Sequence, residues 1–211
     1  MDWLEDRLML LVPLVLSLSV HEWAHAWTAH RLGDDTAKEA GRLTLDPTAH
    51  MDMVGTVLLP LLGVPFGWAK PVPVDARRFR HDVDPARGML WTAAAGPLSN
   101  LVLAAICLVV LAVAIAWLPA TLPEGLLANA LMLNVVLAVF NLLPIPPLDG
   151  SRVLAGLAPA FAARVWPTLA PMGPILILAV VFLPGWLGID WLGVPLRLTQ
   201  QALGAVVGLL R

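Results

Sequence analysis

Of 211 residues, 59% are hydrophobic and 13% charged, and a mean hydropathy of +0.80 places the chain among integral membrane proteins. A soluble fold would need to bury several charge-free runs as core helices, which a chain of this length cannot surround. The formal net charge of −2 offers nothing to nucleic acid, and the one cysteine, Cys107, excludes a disulfide frame and a Cys-x-x-Cys metal site.

The N-terminus is acidic, and no small-residue cleavage site follows the first apolar run, so no cleavable signal peptide is expected. That run opens a predicted transmembrane helix over Leu8–Arg31, without a charge between Leu8 and Val20. His21-Glu22-Trp23-Ala24-His25 then falls about 9–15 Å before the helix end, at 1.5 Å per residue. A charged group inside a membrane helix costs about 2.5–3.5 kcal/mol on insertion scales, which makes the cluster a functional candidate. At 100° per residue His21 and His25 lie on one face, where two imidazoles can bind one Zn²⁺. Glu22, beside the first of them, is placed to act as general base. His-Glu-x-x-His is thus a zinc-hydrolase signature, though a short one. The competing reading, a polar helix end among headgroups, leaves the depth of these residues unexplained.

Gly33 to His50 is polar, and Gly41–Pro47 alternates and stops at Asp46-Pro47, which predicts a short strand and turn. Met51–Gly67 is apolar but interrupted by Gly55, Pro60, Gly63 and Pro65, which suits a re-entrant or interfacial segment better than a span. Trp68–Val74 reads as an edge strand or extended segment because of Pro71 and Pro73. A basic stretch with Arg77, Arg78, Arg80 and Arg87 follows. Met89–Leu118 is the clearest transmembrane helix; its small residues around Gly96 admit a close neighbour, and Asn100 needs a partner. Leu126–Leu143 supplies another helix, broken by Pro144, Pro146 and Pro147 before Asp149-Gly150. Gly173–Trp186 and Trp191–Leu210 are two further hydrophobic segments.

Charge tests the topology. If Met51–Gly67 dips in and returns, Arg31, Lys38, Arg42, Lys70, Arg77, Arg78, Arg80, Arg87, Arg152 and Arg164 share one side. The positive-inside rule then makes that side cytoplasmic and puts the N-terminus outside. A catalytic zinc usually takes three protein ligands, so one is missing from the histidine pair. His30 is about 140° round the helix from His25 and cannot share its face. His50 and His81 fall in polar loops and are expected to be solvated. Asp149 ends the proline-broken segment; its plain reading is the N-cap of a helix Ser151–Leu157. The re-entrant topology brings Asp149 to the depth of His21 and His25, whereas a spanning Met51–Gly67 would send it to the opposite face.

These residues resemble the site-2 protease family of intramembrane zinc metalloproteases, peptidase family M50. The resemblance rests on His21 through His25, Gly67 through Val74, Gly96-Pro97-Leu98-Ser99-Asn100, and Asn141 through Gly150, in the family's order. It implies an all-α polytopic membrane protein forming a single membrane-embedded domain over residues 1–211. A three-helix catalytic core at about 8–31, 89–118 and 126–143 would be followed by one or two C-terminal helices, with a short β-strand and re-entrant segment between the first two core helices. By resemblance, His21, His25 and Asp149 hold one Zn²⁺ per chain, Glu22 is the general base, and Asn141 and Asn100 assist substrate or transition-state binding. Substrates would be transmembrane proteins cut in or next to their membrane segments, as in regulated intramembrane proteolysis. The chain looks like a minimal form without PDZ or CBS domain, embedded in the lipid bilayer of a prokaryotic cell membrane with its site toward the cytoplasm. The alternative is a catalytically silent zinc-binding membrane protein acting as a binding or chaperone module; Glu22 argues against it, since a structural site needs no base.

Overall fold

The computed structural model describes residues 3–64, 67–117 and 124–210. The expected helix end at Leu118, residues 119–123 of the expected loop Pro119–Gly125, and Pro65 and Phe66 of the expected re-entrant or interfacial segment lie outside the described residues. The apolar run builds α1 (Trp3–Arg31), five residues longer at its start than expected. It stops where Gly33 turns with φ +108°, a left-handed conformation that favours glycine, and Asp34 N–H returns to Ala29 O at 3.0 Å.

Two short helices follow, α2 (Thr36–Glu39) and α3 (Pro47–His50). Asp52 then accepts from Val54 and Gly55 N–H, capping a π-helical turn, Met53–Leu58, that continues into α4 (Leu59–Leu61). This helix is too short to cross a bilayer: nine residues reach about 14 Å, against roughly 30 Å of hydrocarbon. The chain instead comes back on itself. Trp68 N–H donates to Gly55 O at 3.3 Å and Thr56 Oγ1 donates to Trp68 O at 2.7 Å, while Met53 and Leu62 point outward.

Among the described residues no strand forms, which corrects the expected strand at Gly41–Pro47 and leaves Trp68–Val74 as the extended segment expected as the alternative to an edge strand. Gly41–Pro47 bends instead of pairing, ending on Asp46 as the N-cap of α3. The N–H groups of Trp68–Val74 go to helical residues and a side chain instead of a neighbouring strand: Trp68 to Gly55 O, Lys70 to His50 O and Val72 to Glu22 Oε2. The alternation in Gly41–Pro47 therefore meets no free ladder edge, and Pro71 and Pro73 have no hydrogen to offer one.

A polar clamp ties this region to the end of α1. Asp34 is fully buried, accepting from Asp75 N–H at 2.7 Å, Thr36 N–H at 2.9 Å and the Thr36 hydroxyl. Arg80 reaches Leu32 O and Arg31 O, and Arg78 grips Glu39 through two bonds of 2.6 Å. The Arg77 guanidinium beside Asp75 lowers its carboxyl to about 2. Much of the basic stretch is thus paired.

The central element is α5 (Pro85–Trp117), which packs along α1, α6 (Glu124–Asn141), α7 (Asp149–Leu157) and α10 (Gly193–Leu210). Its contact face is small: Ala93, Gly96, Ala104, Ala112 and Ala114 are buried, so backbones approach closely. Leu14 and Leu18 of α1 close on Ala69; Ala104 and Leu111 of α5 close on Leu131, with Leu203 of α10 against them. Between α7 and α9 (Gly173–Leu187) lies α8 (Pro159–Leu169), a helix the sequence reading did not anticipate. Among the described residues, Arg7–Arg31, Pro85–Trp117 and Pro159–Leu187 are long and apolar enough to cross a bilayer, and Gly125–Asn141 is a shorter apolar helix. The chain is an all-α integral membrane protein.

Replacing Asp34 by Ala removes the acceptor of the part-buried N–H groups of Asp75 and Thr36, at a cost of about 0.5–1.5 kcal/mol for each lost bond. The expected result is a lower melting temperature in detergent and faster tryptic cleavage at Arg77, Arg78 and Arg80. Unchanged cleavage would show that the clamp does not hold this segment.

Candidate metal centre

Helical spacing stacks His21 and His25 one turn apart on the last third of α1, where both are buried. Opposite them, α7 begins at Asp149. The proline-broken segment after α6 folds back so tightly that a Cβ on Gly150 would collide with the carbonyls of Leu142 and Leu143. Asp149 is the first residue of α7 rather than its N-cap, which is Leu148, and its carboxylate turns to the histidines.

The two Nε2 atoms are 3.0 Å apart, and Asp149 Oδ2 lies 3.2 Å from that of His21 and 3.4 Å from that of His25. Four tetrahedral ligands at about 2.0–2.1 Å from zinc stand about 3.3 Å from one another, so the triangle has the size of one face of such a site. Its chemistry agrees. His25 Nδ1 is 2.6 Å from Thr92 O, a carbonyl that only accepts, so Nδ1 carries a hydrogen and Nε2 is the nitrogen whose lone pair, in the neutral ring, turns inward. That lone pair and a carboxylate oxygen converge on one buried point, which asks for a cation. α5 makes room by presenting Gly96: a Cβ there would run into His25 Nε2 and His21 Cε1.

Glu22 is also buried, and its Oε2 accepts from Val72 N–H at 3.0 Å, so the extended segment lies against the carboxylate. Asn100 is fully buried with Oδ1 2.6 Å from His21 Nδ1, and its Nδ2 donates to Asn134 Oδ1 at 2.8 Å. Asn134 reaches Ser17 Oγ at 2.9 Å. Asn141 is only partly buried, and its amide donates to Leu137 O in its own helix.

The remaining histidines stand apart. His30 pairs with Asp35 at 2.5 Å, and His81 is exposed. His50 is not solvated as expected: it is 1% exposed, with Nε2 on Thr44 O, because its own carbonyl receives Lys70 N–H where the chain folds back. Sequence reasoning missed Asn134, Ser17, the Thr92 carbonyl and the Val72 N–H. Asn134 alone left a trace, an amide inside an apolar helix, seven residues from Asn141 and so on nearly the same face.

A family model for peptidase family M50 matches residues 116–183, the part that carries Asn141 and Asp149. YwhC of Bacillus subtilis (strain 168), which bears the provisional name of zinc metalloprotease, is 44% identical over 156 residues, covering 71% of this chain and 69% of the relative. Rip2 of Mycobacterium tuberculosis (strain H37Rv), provisionally named in the same way, is 33% identical over 184 residues, covering 84% and 69%. Rip2 of Mycolicibacterium smegmatis is 34% identical over 149 residues, covering 70% and 56%. No solved structure matches. With 44% identity to a relative of which it covers 69%, and a metal-sized triangle of His21, His25 and Asp149, the chain belongs to peptidase family M50, the site-2 protease family, and is a metalloprotease.

Proposed function

We propose that this protein is an intramembrane zinc endopeptidase, hydrolysing peptide bonds within or beside the transmembrane segments of membrane-protein substrates. The observation that carries the reading is the convergence of His21, His25 and Asp149 beside Glu22, six to ten residues inside the end of α1. His21, His25 and Asp149 would hold one Zn²⁺; three protein ligands is the number of catalytic sites, against four in structural ones. Bound Zn²⁺ supplies Lewis acidity, polarising a carbonyl oxygen and acidifying water.

The protein's own groups do the rest. Glu22, fixed in orientation by Val72 N–H, takes a proton from the attacking water and passes it to the leaving amine. Asn141 donates to the developing oxyanion, and Asn100, sealed from substrate, acts through the His21 ring it touches. A helical substrate hides its carbonyls and must unwind. Trp68–Val74 offers it an extended edge: Trp68, Lys70 and Val72 turn their N–H groups inward, so alternation turns the carbonyls of Ala69, Pro71 and Pro73 outward. That edge accepts hydrogen bonds but donates few. The one-sided distribution of arginine and lysine supports an N-terminus outside a prokaryotic cell and a site open to the cytoplasm.

Glu22→Gln is expected to retain one zinc per chain, by metal analysis, and to cut a co-expressed single-span substrate about 10²–10⁴-fold more slowly. Undiminished cleavage would remove Glu22 from its role. Zinc without proteolysis in the wild type would favour the silent binding module. Gly96→Ala tests the ligand geometry: overpacking costs about 1–3 kcal/mol, and the variant should lose zinc in a competition assay while keeping its helical circular dichroism.

A further inference from the structure

Behind the Asn100 contact with His21, the core of the bundle buries two further polar side chains, Asn134 and Ser17, that catalysis as described does not use. Ser17, Asn100 and Asn134 come from α1, α5 and α6, each at most 2% exposed. Isolated amides are costly in such surroundings, and here each is satisfied by the next. We infer that Asn134 is a positioning residue of the metal centre, setting the tautomer of His21 from a main-chain carbonyl through two buried amides. The inference rests on the reading of His21, His25 and Asp149 as zinc ligands.

Hydrogen-bond polarity carries the argument. Asn134 Nδ2 is 2.8 Å from Ala130 O, and a peptide carbonyl can only accept. The amide is therefore fixed: turned over, it would set oxygen against oxygen. Its Oδ1 then faces Asn100 Nδ2 at 2.8 Å and accepts from it. That fixes the second amide in turn, aiming Asn100 Oδ1 at His21 Nδ1, 2.6 Å away, so Nδ1 must carry the hydrogen. Nε2, the atom facing His25 and Asp149, keeps its lone pair, which is the form that ligates a metal. Both imidazoles thus take their tautomer from a carbonyl. His25 does so directly through Thr92 O, and His21 does so at two removes through Ala130 O.

Asn134 also fixes the rotation of α1. It donates to Ser17 Oγ and, through Asn100, reaches His21, four residues and about one turn further along. Ser17 braces the helices without setting polarity, because the Ala130 carbonyl alone orients the Asn134 amide.

The test uses full-length protein in detergent with zinc competition titration, the ligand-field spectrum of the Co²⁺-loaded protein, and ¹⁵N-histidine spectra of the metal-free protein. In the wild type, His21 should show Nδ1 protonated. Asn134→Leu, of similar volume, should mix the tautomers, weaken zinc binding about 10–100-fold and alter the cobalt spectrum. Its effect on affinity should largely vanish in an Asn100→Leu background, since the influence passes through Asn100. Ser17→Ala should lower the melting temperature yet leave the His21 tautomer unchanged, which mere helix adhesion does not predict. Where Asn134→Leu fails to fold, Asn134→Ala and the wild-type tautomer decide. A folded Asn134 variant with unchanged tautomer and zinc affinity overturns the inference, as does a wild-type His21 protonated at Nε2. A wild-type protein that binds no zinc would instead overturn the ligand assignment.

Discussion

Bringing one carboxylate oxygen of Asp149 to the Nε2 atoms of two histidines on another helix is the constraint from which the rest of the architecture follows. The distances of 3.2 and 3.4 Å leave no slack for a side chain between α1 and the start of α7. α5 must therefore pass behind the site with a glycine, and Gly96 stands there; a Cβ would occupy the histidine rings' own space. The chain after α6 must leave helical geometry before it reaches the centre, and Pro144, Pro146 and Pro147 remove the N–H groups that would have continued it. Both ends of the Met53–Leu61 excursion must also meet at one level, since a crossing there would carry Asp149 to the far side of the bilayer.

What could be read from sequence depended on whether a feature has a period. His21 and His25 were legible because four residues is one helical turn, and Asp149 because prolines mark where a membrane helix must end. The return of the chain from Gly55 and Thr56 to Trp68 agrees with the breakers of Met51–Gly67, which made that segment a poor candidate for a span. Contacts between elements leave no period. Asn134 is an unremarked amide in α6 until the bundle closes and brings Asn100 to it. His50 looks like a loop residue, and only the return of Lys70 N–H to its carbonyl buries it. The strand expectation failed for a related reason: alternation reports a half-buried extended chain but says nothing of whether a partner edge exists.

The extended segment has its own logic, because it must do two things that conflict. On the proposed mechanism it would have to lie against Glu22 closely enough to orient that carboxylate, yet stay free enough on its other edge to meet a substrate. The sequence Pro71-Val72-Pro73 reconciles them. Across these three residues only Val72 has an N–H, and it goes to Glu22 Oε2 at 3.0 Å. A slip of one residue in either direction would bring a proline nitrogen to the carboxylate, which has no hydrogen to give, and would leave buried oxygen unsatisfied. The register is therefore held by what the neighbours lack as much as by the bond itself. The same two prolines leave Ala69 alone to donate among the outward residues Ala69, Pro71 and Pro73, so the edge cannot pair fully with another strand, including a second copy of itself. An edge that accepts more than it donates suits a transient visitor better than a permanent partner, which is what an enzyme that must release its product requires.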